Sequence, residues 1–116
     1  MADARRSADL VQGTLDMLIL RVLALEPMHG YGIGVRLEQI SRGIFRVNAG
    51  SLFPAFRRLE RDRLVDAEWQ TTEHGRRAKY YRLTTQGRAQ LKRATVDWAR
   101  QADAISRILA SSLGEL

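Results

Sequence analysis

The 116-residue chain contains no cysteine. This rules out a disulfide framework, a thiolate zinc site and a cysteine nucleophile. It also fits a chain that works in the reducing cytoplasm. Histidine is scarce: His29 and His74 stand far apart with no ligand cluster around either, so no metal is expected. Long hydrophobic runs are missing. The longest mainly apolar stretch, Leu15 to Leu25, carries Asp16 and Arg21 and is too short to span a bilayer. The first nine residues lack the apolar stretch and small-residue cleavage site of a signal peptide, and none is expected. No nucleophile–base–orienter set and no glycine-rich phosphate loop occurs, so neither an enzyme nor a cofactor is expected. Lysine is nearly absent: of nineteen basic residues seventeen are Arg, and only Lys79 and Lys92 are Lys.

What is present points to one globular domain. The length suits a single core, and an apolar fraction of 45% argues against global disorder. The net charge of +6 is unevenly placed. Residues 1–48 carry six Arg against five acids, residues 49–93 eleven bases against five acids, and residues 94–116 two Arg against three acids. The surplus therefore lies in the middle of the chain, and a local basic excess points to an anionic partner. A membrane surface fits less well than nucleic acid, because the bases do not sit on a separate amphipathic helix.

Periodicity sets the element order. Leu15, Leu18, Ile19, Val22 and Leu23 share one helical face, with Thr14 as the expected N-cap and Glu26-Pro27 as the stop. His29-Gly30-Tyr31-Gly32 opens a second helix with Ile33, Leu37 and Ile40 on one face and Gly43 as the expected left-handed stop. A third helix over 50–62 carries Leu52, Ala55, Phe56 and Leu59, with Asn48 and Ser51 both able to cap it and Pro54 near its start. Val65 to Gln70 and Ala78 to Leu83 read as a β-hairpin around a polar, basic loop with Gly75 at the turn. Thr84 caps a last helix over 85–112, about 42 Å long. That is longer than one small domain needs, and its stripe of Leu91, Trp98, Ala102, Ile105 and Leu109 asks for a second chain.

The expected fold is mainly α with a β-hairpin: a winged helix-turn-helix with a C-terminal dimerisation helix. Residues 1–12 form an arm, 13–84 the DNA-binding unit and 85–116 the dimerisation helix. In such a fold the third helix enters the major groove and the hairpin lies along the backbone or minor groove. On a helical wheel Arg57 and Arg61 lie opposite the core side, beside Pro54, with Phe53 and Arg58 on the flanks and Ser51 near the start. Arg76, Arg77 and Lys79 occupy the wing. These nine residues are the expected DNA contacts; Arg reads guanine bidentately or clamps phosphate.

Four stretches carry a family resemblance: Gly13-Thr14-Leu15-Asp16-Met17-Leu18-Ile19-Leu20, Pro27-Met28-His29-Gly30-Tyr31, Gly50 to Glu60, and Gly75 to Thr84. In this order and spacing they resemble the PadR family of bacterial transcriptional regulators, in particular its short members with a single C-terminal helix. The resemblance implies a homodimeric repressor on a palindromic operator, dimerised through its last helix and, in many members, released by a small aromatic molecule. Three departures stand out: Phe53 replaces a usual Tyr, Arg63 a common helix-ending Gly, and Thr85-Gln86 a common Pro-Glu. Trp98 is read either as dimer packing or as the wall of an effector pocket. His29 is read as a turn or cap residue, His74 as exposed loop, Trp69 as hydrophobic cover, and Tyr31, Tyr80 and Tyr81 as core or wing packing. The rival reading is a ligand-responsive or protein-interaction dimer without DNA output; it would not need the Arg face on the third helix.

Overall fold

A computed structural model describes residues 12–115. Helix α1 (Gln12–Leu25) leads through a two-residue strand β1 (Met28–His29) into α2 (Gly30–Ile40) and α3 (Ala49–Arg61). Strands β2 (Val65–Thr71) and β3 (Arg77–Leu83) form the hairpin, and α4 (Thr85–Ala110) follows. This is the expected winged-helix architecture, mainly helical with a hairpin. The arm expected at 1–12 lies outside the described residues apart from Gln12, which already belongs to α1. Thr14 is therefore inside the first helix and does not cap it.

The core lies where the apolar faces of α1, α2 and α3 meet the inner side of the sheet. Ile19, Ile33, Ala55, Phe56 and Leu59 are all but inaccessible, and Phe56 packs its ring 4.7 Å from that of the buried Tyr81 on β3. The periodic residues thus bury the faces that their spacing assigns them, except Ile40 at the end of α2, which is exposed. The sheet has one strand more than the hairpin, in the order β1-β3-β2. Met28 pairs with Tyr81 and His29 with Tyr80. A dipeptide strand has no alternation to read, and only its distant partner makes it a strand.

Helix ends differ in detail from expectation. Asn48 caps α3: its Oδ1 accepts from Ser51 N–H at 3.0 Å, so Ser51 sits in the first turn. The helix consequently starts at Ala49, one residue before the expected boundary. Pro54 then falls inside the helix and leaves the Gly50 carbonyl without an i+4 N–H. After α2, the left-handed residue is Arg42 (φ 55°), with Gly43 (φ 82°) one place later. Arg63 (φ 60°) plays the same part after α3. In both, the next N–H reaches back five residues, Gly43 to the Glu38 carbonyl at 2.8 Å and Leu64 to the Leu59 carbonyl at 2.9 Å. These are Schellman ends, with Arg where Gly is usual.

Helix α4 is seated by a close approach. The Thr84 Oγ accepts from Gly87 N–H at 2.9 Å and donates to the Arg63 and Leu64 carbonyls at 2.8 and 3.0 Å, while Thr84 N–H donates to the Leu64 carbonyl at 3.1 Å. A Cβ added to Gly87 would lie 2.0 Å from that same Leu64 oxygen. From this seat the helix runs 26 residues, about 39 Å. The radius of gyration is 16.7 Å, against about 13 Å for a compact chain of this length. The excess is the α4 arm, and the principal extents are 63 × 36 × 21 Å.

One substitution at two sites tests this seating with opposite signs. Gly87→Ala should lower unfolding free energy by about 1–3 kcal/mol, because backbone must move. Gly13→Ala in α1 meets nothing within 4 Å and should raise stability by up to about 1 kcal/mol. Urea titration of both variants against the parent provides the measurement.

Candidate nucleic-acid interface

The outward face of α3 follows directly from its inward one. With Leu52, Ala55, Phe56 and Leu59 buried, Ser51, Phe53, Arg57 and Arg61 are exposed; Arg58 on the flank is half-buried, and so is Pro54, though its position is opposite the core. Arg57 makes no ion pair or side-chain hydrogen bond among the described residues, so its five donors are free. Arg61 pairs with its neighbour Asp62 at 3.0 Å in full solvent. Their hydrogen bond, with the mutual attraction of the charges, raises the Arg61 pKa and lowers that of Asp62. A solvated pair of this kind is weak, and a phosphate can take the guanidinium over.

Arg58, expected at the groove, is engaged within the protein. Its Nη2 and Nε donate to the two carboxylate oxygens of Asp16 on α1, at 2.7 and 3.3 Å, with both side chains about one-fifth exposed. Lys79 is engaged in the same way. Its Nζ donates to Glu60 on α3 at 3.0 Å and lies 5.8 Å from the centre of the Tyr81 ring. These two pairs brace α3 from opposite sides, one from α1 and one from β3. The sequence reading misses both acids as functional positions. Asp16 lies 42 residues from Arg58 and Glu60 lies 19 from Lys79, and nothing in the spacing signals either bond.

The wing presents its bases differently. Arg76 stands exposed in the loop, where Gly75 (φ 79°) makes the turn and Thr72 N–H donates to the Arg76 carbonyl at 2.6 Å. The Arg77 guanidinium lies 5.7 Å from the centre of the Trp69 ring. Trp69 is 58% exposed, so it covers Arg77 and not the core. Tyr81 is core, and burial pushes its phenol above the usual tyrosine range. Tyr80 is half-buried, whereas Tyr31, expected in packing, is exposed. His29 caps α2, its Nδ1 accepting from Gly32 N–H at 3.0 Å, and His74 is exposed loop. An open cleft of about 1060 Å³ lies between α2 and the wing loop, lined by Tyr31, Glu73, His74, Arg76 and Arg77 among others.

On α4 the expected seam divides. Leu91 packs against the core of its own chain, and Ala102 is half-buried. Trp98, Ile105, Ile108 and Leu109 are exposed in this single chain, Leu109 at 80%. Trp98 also walls a cleft of about 480 Å³ between α4 and the first turns of α1, lined by Gly13, Thr14, Met17, Arg93 and Asp97 among others. Among the described residues no cluster of His, Cys, Asp or Glu could hold a metal, and no helix is long and apolar enough to cross a membrane.

Residues 19–93 match the model of the transcriptional regulator PadR-like family. The chain is 36% identical over 86 residues to the transcriptional regulator Rv3488 of Mycobacterium tuberculosis, covering 72% of this chain and 77% of that one. Among solved structures it resembles a PadR family transcriptional regulator from Eggerthella lenta, with 32% identity, a TM-score of 0.75 and coverage of 87% and 86% of the two chains. A transcriptional regulator from Clostridium thermocellum superposes with a TM-score of 0.78 at 25% identity, covering 86% and 97%.

Charge reversal separates bracing from DNA contact. Asp16→Arg and Arg58→Asp should each cost about 1–3 kcal/mol of stability and weaken binding to duplex DNA. The double reversal should recover most of both losses. A double variant that folds normally but still binds weakly, with a salt slope lower by about 0.9, would instead place Arg58 on a phosphate. Glu60→Lys with Lys79→Glu gives the same readout on the other side of α3.

Proposed function

Because this chain belongs to the PadR-like family of transcriptional regulators, which are DNA-binding proteins and not enzymes, we propose that it is a homodimeric, cytoplasmic repressor acting on a palindromic operator. The observation that carries this reading is the exposed cationic face. Arg57 and Arg61 on α3 and Arg76 and Arg77 on the wing point outward, while two further bases, Arg58 and Lys79, hold α3 in place. In this reading residues 13–84 form the DNA-binding unit and residues 85–116 the dimerisation helix. Helix α3 lies in the major groove with Ser51, Phe53 and Pro54 leading, and the wing follows the flanking backbone.

The exposed stripe of Trp98, Ile105, Ile108 and Leu109 supports the dimer, since an apolar helix face in water gains from being covered. A second copy presents the cationic face twice, and the two-fold axis of the dimer asks for a palindrome. The Trp98 cleft supports release by a planar aromatic effector: its walls come from both α1 and α4, so an occupant bears on the domain and the arm together.

Operator affinity measured across salt concentrations should fall steeply, each neutralised phosphate adding about 0.9 to the log–log slope. Arg57→Ala should weaken binding by about 1–3 kcal/mol. Loss confined to the operator identifies base reading, and equal loss on all sequences identifies phosphate contact. An Arg57→Ala/Arg61→Ala variant that binds like the parent overturns the proposed face.

Sedimentation at micromolar concentration should give a dimer, and Ile105→Asp/Leu109→Asp should shift it to monomer and abolish operator binding. A monomeric parent overturns the dimer.

A further inference from the structure

Helix α3 changes chemistry halfway along. Arg57 and Arg61 project from its later turns, but its first six residues, Ala49 to Pro54, carry no charge and one hydrogen-bonding side chain, Ser51. The large outward group in that half is Phe53, 51% exposed. Its ring is not loose: it stands edge-on to Phe56, centroids 5.7 Å apart at 90°, and Phe56 is itself 2% exposed. Beside it a mainly apolar groove of about 380 Å³ runs between α2 and α3, lined by Tyr31, Val35, Leu52, Phe53 and Phe56, with one acid, Glu38, which pairs with Arg46 at 3.9 Å. The front of α3 thus offers a rigid apolar surface directly ahead of a cationic one.

This pairing restricts the partner. The cations favour an anionic surface, and the ring needs an apolar group embedded in it. A phenyl ring neither clamps a phosphate nor donates to a base edge. In the major groove of duplex DNA the apolar group is the thymine 5-methyl. Docked helices of this kind turn their N-terminal residues to the base edges. Phe53 is fifth in α3, with Arg57 and Arg61 one and two turns behind it on the same side.

We propose that Phe53 is a specificity-determining residue that packs against a thymine methyl group in each half of the bound site. The inference rests on the regulator reading above and adds to it a base preference at one position per half-site.

The test uses the full-length protein. Duplexes are selected from a random pool, and each thymine of the selected site is then replaced singly by deoxyuridine, which removes the methyl and nothing else. One thymine per half-site should respond, with affinity falling about fourfold for each methyl lost and about sixteenfold for the symmetric pair. Phe53→Ala should weaken binding to the thymine duplex and erase the thymine–uracil difference. Phe53→Leu should keep most of that difference, and thermal melts should show both variants folded, since the ring is half in solvent. A site in which every thymine is replaceable without loss overturns the contact, as does a sensitive thymine that stays equally sensitive in Phe53→Ala. A protein that enriches no sequence over bulk DNA overturns the regulator reading itself, and the contact with it.

Discussion

One carbonyl oxygen, that of Leu64, joins the part of the molecule that faces outward as a cationic surface to the part that projects as an arm. It receives Thr84 N–H and Thr84 Oγ, and it stands where any Cβ on Gly87 would collide. Leu64 follows the end of α3, and Thr84 opens α4. The direction in which α4 leaves the domain is therefore set within a few ångströms of the C-terminus of α3. Partly buried hydrogen bonds and a steric stop act together here. In a dimer formed through α4, the separation and tilt of the two α3 helices would follow from this junction.

The basic surplus that dominates residues 49–93 is divided between two uses. Arg58 and Lys79 spend their charge inside the protein, on Asp16 and Glu60. Arg57 and Arg76 keep theirs free among the described residues. The Arg58 pair is bidentate and mostly shielded from water, so it is the stronger brace; Lys79 and Glu60 are each more than one-third exposed, and their pair is closer to the weak surface case. The planar guanidinium fits the first place and the single-point ammonium the second.

The fold was legible because its signals are local and periodic. Apolar spacing placed four helices, alternation placed the hairpin, and Thr84 capped the helix that its position indicates. Legibility ended where the deciding interaction is long-range or degenerate. Both Asn48 and Ser51 are chemically able to cap α3, and only the backbone geometry chooses Asn48. β1 is two residues long and exists through Tyr80 and Tyr81. At the candidate site, spacing placed Phe53, Arg57 and Arg61 on the outward face of α3, and they are exposed there. Spacing gave no sign of the ion pairs that Arg58 and Lys79 make, because their partners come from other elements. A helical wheel gives the direction in which a side chain leaves the backbone. It does not give the acid that a long, flexible cation then bends towards.

The two Arg residues that end α2 and α3 in left-handed conformations carry a further consequence. An L-residue there costs about 1–2 kcal/mol relative to a right-handed one. A cation at the negative end of a helix dipole recovers about 0.3–1 kcal/mol. The recovery offsets part of that cost at Arg42 and Arg63, and the backbone hydrogen bonds that close each turn offset more. Glycine would relax each turn but remove a positive charge from it. At these two corners the chain holds electrostatic potential in exchange for backbone ease, and the helix ends that flank the cationic face are places where stability and charge cannot both be raised by one substitution.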